Sequence, residues 1–243
     1  GLGELHLATV LQQIKDRHDI EVATQLPSIA YRETITAKAE GHHRHKKQTG
    51  GAGQFGEVYL RVEPLPQGEG FQFGSEVVGG AIPSGFIPAV ENGVKQAMTE
   101  GAVNGYPMQD IRVVVTDGKH HSVDSKEIAF VQAGKKAFLD AVANARPIVM
   151  EPIVNAEFTI PSDSVGGVTG DLSGMRGMIT GTDALPDGRA VVSGQVPLQE
   201  LQGYHSRLKS LTGGEGSFTM EFSHYAEVPP VQLKELKAAN EQG

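Results

Sequence analysis

The order of predicted elements in the last third of the chain constrains its fold more than any other sequence feature. The turn sequence Leu185-Pro186-Asp187-Gly188 marks a hairpin between two short strands. Around it the hydrophobic periodicity predicts six elements, namely strands at 153–160, 178–184, 189–196 and 216–225 and helices at 163–175 and 198–211. Their order, β-α-β-β-α-β, predicts a ferredoxin-like sandwich, which is an α+β fold.

The middle of the chain, from residue 31 to about 145, has a second mixed pattern. It predicts strands at 56–64, 71–78 and 111–117 and helices at 87–99 and 125–145. The last helix has a face of small residues with Gly134 and Ala137, which permits close packing on a sheet. Asp124 or Ser125 is the predicted N-cap of this helix.

Residues 1–30 predict too little structure to fold alone. An apolar helical pattern runs from Leu5 to Ile14, an extended stretch follows at 19–23, and Pro27 ends it. One helix and one strand cannot bury an apolar face without partners. We therefore expect the end of a domain whose front is missing, or else an N-terminal helix docked on the next domain. At the other end, 231–239 predicts a polar amphipathic helix.

Several classes of function are excluded by what the sequence lacks. The 243 residues include no Cys, which excludes disulfides, thiolate metal sites and a cysteine nucleophile. No apolar run approaches the roughly 18 residues of a membrane span, and no signal peptide opens the sequence, so we expect a cytoplasmic protein. The motifs G-x-x-x-x-G-K-[ST], H-E-x-x-H and G-x-S-x-G do not occur. We find no catalytic site in the sequence.

The net charge of −8 is unevenly distributed. Residues 151–243 carry −6 and residues 1–30 carry −2, whereas residues 31–150 are neutral. Within this neutral part the cations Arg44, Lys46 and Lys47 lie close to a glycine loop. Local fields decide encounters with phosphate more than the total charge does, so the acidic total does not exclude a nucleic-acid partner.

The glycine loop, Gly50-Gly51-Ala52-Gly53, lies between two extended segments. Glycines allow a left-handed backbone and let it approach another molecule closely. With the neighbouring cations the loop predicts either a phosphate-contact patch or an ordinary solvated strand end. His43 and His45, which would share one face of a strand, suggest a third alternative, a metal pair, although no nearby carboxylate or thiolate supports it.

A second polar loop, His120-His121-Ser122-Val123-Asp124, separates the strand at 111–117 from the helix that follows. Three interpretations stay open on chemical grounds. The loop could hold a catalytic His–Asp/Ser set, an RNA-contact site whose imidazoles stack on bases or hydrogen-bond to them, or an ordinary surface turn.

Motifs along nearly the whole chain resemble those of translation elongation factor G. Gly1-Leu2-Gly3-Glu4-Leu5-His6-Leu7 is similar to the family sequence G-M-G-E-L-H-L. Residues 48–56 fit Q-T-G-G-x-G-Q-[YF]-G, and Val123-Asp124-Ser125 fits H-x-V-D-S. Further matches follow in the family order, among them Val78–Pro83, Glu151-Pro152-Ile153, Gly170-Asp171-Leu172 and Gly216-Ser217-Phe218.

The resemblance implies a C-terminal fragment of this GTPase family. Residues 1–30 would be the remnant of domain III. Residues 31–147 would be domain IV, a fold with a left-handed βαβ crossover similar to domain 2 of ribosomal protein S5. Residues 148–243 would be the ferredoxin-like domain V with a C-terminal helix. The GTPase domain, with GTP and Mg, would lie upstream, and no cofactor is expected in this chain.

The resemblance also implies a site and its partners. The RNA-binding and ribosome-binding tip would consist of two loops, represented here by Gly50, Gly51, Ala52, Gly53 and Gln54 and by His120, His121, Ser122 and Asp124. The partners would be 16S and 23S rRNA and the tRNA–mRNA pair in the decoding region, with neither DNA nor a membrane, and the protein would be a monomer. The implied action is translocation: the tip blocks the return of tRNA while GTP hydrolysis elsewhere times entry and release.

Two departures from the family pattern keep other functions open. The family loop commonly has a basic residue where this chain has Ala52, and the stretch 42–47 is unusually basic. These features are compatible with a paralogue that acts in ribosome recycling or ribosome protection, or with a ribosome-binding protein that does not translocate. A metal-dependent enzyme that uses His42, His43, His45 and His121 is the alternative from another functional class.

Overall fold

The computed structural model describes residues 4–18, 20, 22, 28–48 and 53–240. Within these residues the chain forms six α-helices and nine β-strands, beginning with helix α1 (Glu4–His18). The chain divides into two compact units. The hairpin unit contains Tyr31–Met150 and the described residues from Glu227 onward, and the ferredoxin-like unit contains Glu151–Ala226 and the described residues up to Ala30.

The hairpin unit is built on a four-stranded sheet backed by two helices. Its elements are β1 (Arg32–Ile35), β2 (Ala39–Lys47), β3 (Gln54–Pro64), β4 (Phe71–Ser75), α2 (Ile87–Glu100), β5 (Ile111–Lys119) and α3 (Glu127–Asn144). The sheet order is β2-β3-β5-β4, with β2–β3 and β3–β5 antiparallel. Strands β4 and β5 are parallel, and the connection between them contains α2, so it is the βαβ crossover of the predicted fold.

Close backbone packing places α3 against the sheet, as the small residues of its face predict. Phe130, Ala137 and Ala141 are fully buried in one core cluster with strand residues such as Val58. A Cβ added to Gly41 of β2 would lie only 2.1 Å from the carbonyl oxygen of Ala137. Glycine at this position therefore lets strand β2 lie directly against the helix.

The predicted N-cap of α3 is wrong. The helix begins at Glu127, its N-cap residue is Lys126, and no side-chain hydrogen bond caps it. The Ser125 hydroxyl and the Asp124 carboxylate accept hydrogen bonds from residues other than those of the first helical turn. The local sequence fits a cap, but both side chains instead form hydrogen bonds to residues of the β2–β3 hairpin.

The ferredoxin-like unit has the predicted order of elements. They are β6 (Pro147–Pro161, from Glu151 onward), α4 (Val165–Gly174), β7 (Met178–Ala184), β8 (Arg189–Pro197), α5 (Tyr204–Leu211) and β9 (Ser217–Glu227). The strand order is β9-β6-β8-β7, and β8 is antiparallel to both of its neighbours. The core includes Phe158, Leu172 and Leu208. The predicted α+β fold class is confirmed.

Differences from the predicted elements are local. The helix predicted at 198–211 is a 3-10 turn (Leu198–Leu201) followed by α5, because Gly203 between them adopts a positive φ of 73°. The predicted C-terminal helix is α6 (Pro230–Asn240). The extended stretch predicted at 19–23 falls largely outside the described residues. No helix among the described residues is long and apolar enough to cross a membrane.

Candidate functional site

A small cleft lies where the end of the β2–β3 hairpin meets the loop between β5 and α3. Its volume is about 180 Å³. Its lining comes from both hairpin strands and from the loop: Arg44, Lys46, Lys47, Gln48, Gly53, Gln54, Phe55, His121 and Asp124. The fold therefore brings together the cations and parts of both loops that the sequence predicts as a site.

Some of the predicted loop residues do not line this cleft. Residues 50–52, the centre of the glycine loop, lie outside the described residues. The ring of His120 contacts a different loop, since its Nδ1 lies 3.1 Å from the carbonyl oxygen of Ala81. Ser122 is exposed and does not belong to the lining. The two adjacent histidines therefore have different surroundings, and His121 is the one in the cleft.

The strand register places Arg44 and Lys46 on the same, exposed face of the hairpin. Arg44 pairs with Glu57 across the antiparallel ladder, and Lys46 pairs with Phe55. Alternation along β2 buries Gly41 and exposes Arg44 and Lys46. The Arg44 guanidinium lies 5.2 Å from the centroid of the Phe55 ring, which is within the range of a cation–π contact. The ring thus supports the cation at the edge of the cleft.

Backbone hydrogen bonds join the two loops. The Phe55 amide donates to the carbonyl oxygen of Asp124 at 2.9 Å, and the Ser125 hydroxyl donates to the carbonyl oxygen of Phe55 at 3.0 Å. The Gly53 amide donates to the Asp124 carboxylate at 3.2 Å. A Cβ on Gly53 would lie 3.2 Å from the Asp124 Cγ, so this position favours a small residue. The walls of the cleft are consequently fixed to each other.

The ring of His121 is held on one side by contacts within the cleft and is open to solvent on the other. Its side chain is 55% exposed. The ring meets the Phe55 ring edge-on, with 6.3 Å between centroids, and its Nδ1 lies 3.5 Å from an Asp124 carboxylate oxygen. A ring held in this way can hydrogen-bond to an incoming molecule without prior rearrangement of the loop.

The cations of the cleft are available for a partner. Over the residues that the structure describes, Arg44, Lys46 and Lys47 lie in no ion pair, and Asp124 is the one acid in the lining. The neighbouring Glu57 does not neutralise Arg44 by an ion pair. Its carboxylate instead bonds to the His42 Nε2 at 2.9 Å. The positive charge therefore faces solvent beside the cleft.

Glu57 is buried beneath the exposed rings of His42 and Tyr59, with which it forms a separate cluster. The His42 ring stacks on the Tyr59 ring at 4.1 Å, and the Tyr59 hydroxyl donates to the carboxylate at 3.3 Å. Burial raises the pKa of Glu57, but the hydrogen bonds from His42 and Tyr59 outweigh it and hold the pKa below its usual value. The carboxylate is thus held ionised by its own neighbours.

The metal alternative receives no support from the geometry. Among the described residues no three His, Asp or Glu side chains come close enough to hold a metal ion. His42 bonds to Glu57, and the His45 Nε2 lies 3.1 Å from the Gln54 amide oxygen. His43 is partly buried, and this burial, with the nearby Lys136, lowers its pKa. The histidines of the stretch 42–45 therefore have separate hydrogen-bonding or packing partners.

Two family models match the chain along most of its length. The model of elongation factor G, domain IV, matches residues 27–146, and the model of the elongation factor G C-terminus matches residues 148–236. The chain belongs to the elongation factor G family. The resemblance that the sequence motifs predict is confirmed, and the cleft lies within the part of the chain that matches domain IV.

Individual members of the elongation factor G family are close in sequence. The elongation factor G-like protein of Thermotoga maritima is 44% identical over 230 residues, which cover 95% of this chain and 34% of that protein. Elongation factor G of Aquifex pyrophilus is 48% identical over 229 residues, covering 94% of this chain and 33% of that protein. The chain thus spans about a third of the length of these relatives.

A solved structure supports the elongation factor G-type fold. A crystal structure of a protein from Thermus thermophilus matches with a TM-score of 0.85 and 41% sequence identity. The match covers 99% of this chain and 36% of that one. Family models, relatives and fold therefore agree that the chain is the part of an elongation factor G-type protein that contains domain IV and the C-terminal domain.

Sequence reasoning missed two features of the cleft. The first is Phe55, whose ring lies beneath Arg44 and beside His121. Its signal was present in the sequence, because alternation along β3 places Phe55 and Glu57 on the same face. The second is the interloop role of Ser125, for which the sequence offered the more common interpretation of a helix cap. Both features depend on the register between β3 and a loop about 70 residues away.

Proposed function

We propose that the cleft at the end of the hairpin is an RNA-contact site through which the chain binds the ribosome during translation. One observation carries the proposal: two loops and the basic strand end meet in one cleft, and its cations lie in no ion pair with other described residues. An ordinary solvated strand end would require no such convergence. The family membership of the chain supports the same class of partner.

The side chains of the cleft suit a ribose–phosphate backbone. Arg44, Lys46 and Lys47 can each neutralise a phosphate and release its counterions. The amide of Gln54 and the imidazole of His121 can bond to sugar and phosphate oxygens without a fixed demand on base sequence. The carboxylate of Asp124 would repel phosphate, but it is engaged by the Gly53 amide at the side of the cleft. The favourable contacts therefore outnumber the repulsive one.

The proposed action follows the family resemblance. The tip enters the decoding region of the small subunit, next to 16S rRNA and the tRNA–mRNA pair, while domain V lies near 23S rRNA. Occupancy by the tip prevents the return of tRNA and so promotes translocation. In this proposal the protein acts as a cytoplasmic monomer. Its contact residues are those of the two tip loops, including residues 50–52, His120 and Ser122.

GTP and magnesium, which the family resemblance implies, do not fit the residues of this chain. The sequence contains no phosphate-binding loop, and the described residues include no group of three potential metal ligands. We propose that nucleotide chemistry belongs to a part of the factor other than these residues. No step of the proposed action of the cleft passes through it.

A chimera tests the proposal. This chain replaces the matching third of elongation factor G of Aquifex pyrophilus, and tRNA translocation and GTP hydrolysis are measured on ribosomes. We expect the chimera to translocate. We expect His121→Ala to slow translocation about tenfold, with GTP hydrolysis unchanged, because the tip acts on tRNA and not on nucleotide. Lys95→Gln is the control, since Lys95 pairs with Glu91 on α2.

Two results would contradict parts of the proposal. If GTP hydrolysis falls in step with translocation in His121→Ala, the tip does not act at the tRNA step. If the chimera with the unaltered chain binds ribosomes and hydrolyses GTP but does not translocate, the chain acts in another way. Ribosome recycling, ribosome protection or simple ribosome binding would then be the function.

A further inference from the structure

Backbone amides face one ring nitrogen of His121. The N–H groups of Val123 and Asp124 point at its Nδ1, at 3.3 and 3.2 Å. A ring nitrogen that accepts hydrogen bonds must present its lone pair, so the neutral ring carries its proton on Nε2. A proton on Nδ1 would face two other donors at short distance, and the nearest acceptor, an Asp124 carboxylate oxygen, lies farther away at 3.5 Å. The loop geometry thus favours one of the two neutral tautomers.

Ser125 fixes the backbone of His121 to strand β3. The Ser125 hydroxyl accepts from the His121 amide at 2.8 Å and donates to the carbonyl oxygen of Phe55 at 3.0 Å. The Ser125 amide donates to the carbonyl oxygen of His121 at 3.0 Å. One hydroxyl therefore connects the histidine to the hairpin, and both of its hydrogen-bonding roles are used.

Asp124 makes the second connection between the loops. Its carbonyl oxygen accepts from the Phe55 amide at 2.9 Å, and its carboxylate accepts from the Gly53 amide at 3.2 Å. Helix capping does not account for either residue, because α3 begins at Glu127 after an N-cap that makes no side-chain bond. The hydrogen bonds of Asp124 and Ser125 serve the joint between the loops.

We infer that Ser125 and Asp124 are positioning residues that make His121 a hydrogen-bond donor from Nε2. They hold the loop so that its amides occupy Nδ1 and leave Nε2–H directed away from them. The ligand part of this inference rests on the proposed function: the group that meets His121 must offer an acceptor oxygen, such as a phosphate or ribose oxygen of RNA. A group that offers only a hydrogen-bond donor would not bind to Nε2–H.

Nitrogen NMR on the whole chain tests the tautomer directly. The spectra are recorded in alkaline buffer, and the tautomer is read from the signals of the neutral ring. The loss of one set of signals in His121→Asn assigns the ring. We expect an unprotonated Nδ1 in the unaltered chain and a mixture of tautomers in Ser125→Ala. Ser125→Thr keeps the hydroxyl and should restore the single tautomer.

Ser84→Ala is the matched control. Ser84 is exposed and lies shortly before α2, in the same way that Ser125 lies shortly before α3. This control should leave the His121 signals unchanged. Asp124→Ala should speed hydrogen exchange of the Gly53 amide, and amides of β5 in the same spectra report whether the unit stays folded. A purely structural role of Ser125 would change exchange throughout the unit and would not select one tautomer.

Ribosome affinity is measured separately, with ribosomes of Thermotoga maritima as the probe. We expect Ser125→Ala to weaken binding about tenfold and Ser125→Thr to retain it. A proton on Nδ1 in the unaltered chain, or an unchanged tautomer in Ser125→Ala, overturns the inference. If the tautomer responds as expected while neither Ser125→Ala nor His121→Asn changes affinity, the positioning role stands and the proposed function fails.

Discussion

The ferredoxin-like unit and the tip of the hairpin unit use charge in opposite ways. In the ferredoxin-like unit, Arg176 donates to Glu151 and to Glu200, each at 3.0 Å, and the Glu151 side chain is only 3% exposed. Arg207 likewise pairs with Asp171. The guanidinium groups in these contacts are engaged in holding the unit together, so they are not available to bind another molecule.

At the tip of the hairpin unit the cations have no such role. Strand β2 is held by backbone contact, since Gly41 lies against Ala137 of α3 with no room for a Cβ. The loops at the tip are joined by hydrogen bonds of Asp124 and Ser125. Because the fold of the tip does not depend on ion pairs, its positive charge remains available. A cation in an ion pair within its own unit indicates a role in the stability of that unit. A cation that lines a cleft outside any ion pair indicates a role in binding a partner molecule.

The largest expected effect tests how the hairpin is held. In Gly41→Ala the added Cβ would lie 2.1 Å from the carbonyl oxygen of Ala137 and 2.4 Å from the amide nitrogen of Ala141, so strand or helix must move. We expect the free energy of unfolding of the hairpin unit to fall by about 3 kcal/mol. Urea unfolding, followed by hydrogen exchange in β2, measures it. Gly74→Ala, where the space is open, is the control. Equal stability of both variants would contradict close packing.

The next effect tests the buried ion pair of the other unit. Arg176→Met leaves the Glu151 carboxylate buried without its main partner. We expect a loss of about 2 kcal/mol in the free energy of unfolding of the ferredoxin-like unit. The estimate is below that for a fully buried pair because the Arg176 side chain is 23% exposed. Urea unfolding with hydrogen exchange in β6 measures this loss. Arg189→Met, at an exposed pair with Asp187, should change little.

The third effect concerns RNA binding rather than stability. Arg44→Gln, Lys46→Gln and Lys47→Gln together should weaken binding to a short single-stranded RNA about tenfold. They should also reduce the salt slope of the binding constant by about 2 to 3, since each lost phosphate contact removes about one counterion. Fluorescence anisotropy at several salt concentrations measures both quantities.

A matched set removes the same charge elsewhere in the hairpin unit. Lys38, Lys95 and Lys135 all lie in ion pairs with glutamates. Their combined change to Gln should leave the salt slope nearly unaltered. An equal effect of both sets would mean that total charge, and not the cleft, governs RNA binding. The combined change of Arg44, Lys46 and Lys47 to Gln should also leave the free energy of unfolding unchanged.

The sequence predicted the fold better than it predicted the details of the site. Hydrophobic alternation and the turn at 185–188 were sufficient for the ferredoxin-like order, because these signals are local. The cations and His121 were also predicted, since their residue types and the family motif pointed to them. Whether they meet in one cleft depends on the pairing of β2 with β3 and of Phe55 with the 120–125 loop. These contacts are distant in sequence, and periodicity carries no information about them.

Ser125 shows why the remaining details could not be predicted. A serine just before a helix is a common N-cap, and its local sequence favours that role. The hydroxyl is instead directed to the carbonyl oxygen of Phe55, 70 residues away in the chain. A residue with two possible partners takes the one that tertiary structure provides. The joint between the loops therefore became visible only with the fold.

The smallest expected effect is the response of one ion pair in the ferredoxin-like unit to acid. Arg207 holds the pKa of Asp171 below its usual value, although burial opposes this. A lowered pKa in the folded state contributes stability that is present above the unfolded value of about 3.9 and lost as pH falls through the folded value. Asp171→Asn should therefore flatten the pH dependence of unfolding of the ferredoxin-like unit below about pH 4. Asp163→Asn, an exposed acid in the same unit, should retain the slope in acid denaturation followed by hydrogen exchange in β6. An unchanged slope in Asp171→Asn would mean that the pair contributes nothing to the acid response. The expected flattening would mean that acid acts on the Arg207–Asp171 pair of the ferredoxin-like unit, whereas salt acts on the cations at the tip of the hairpin unit.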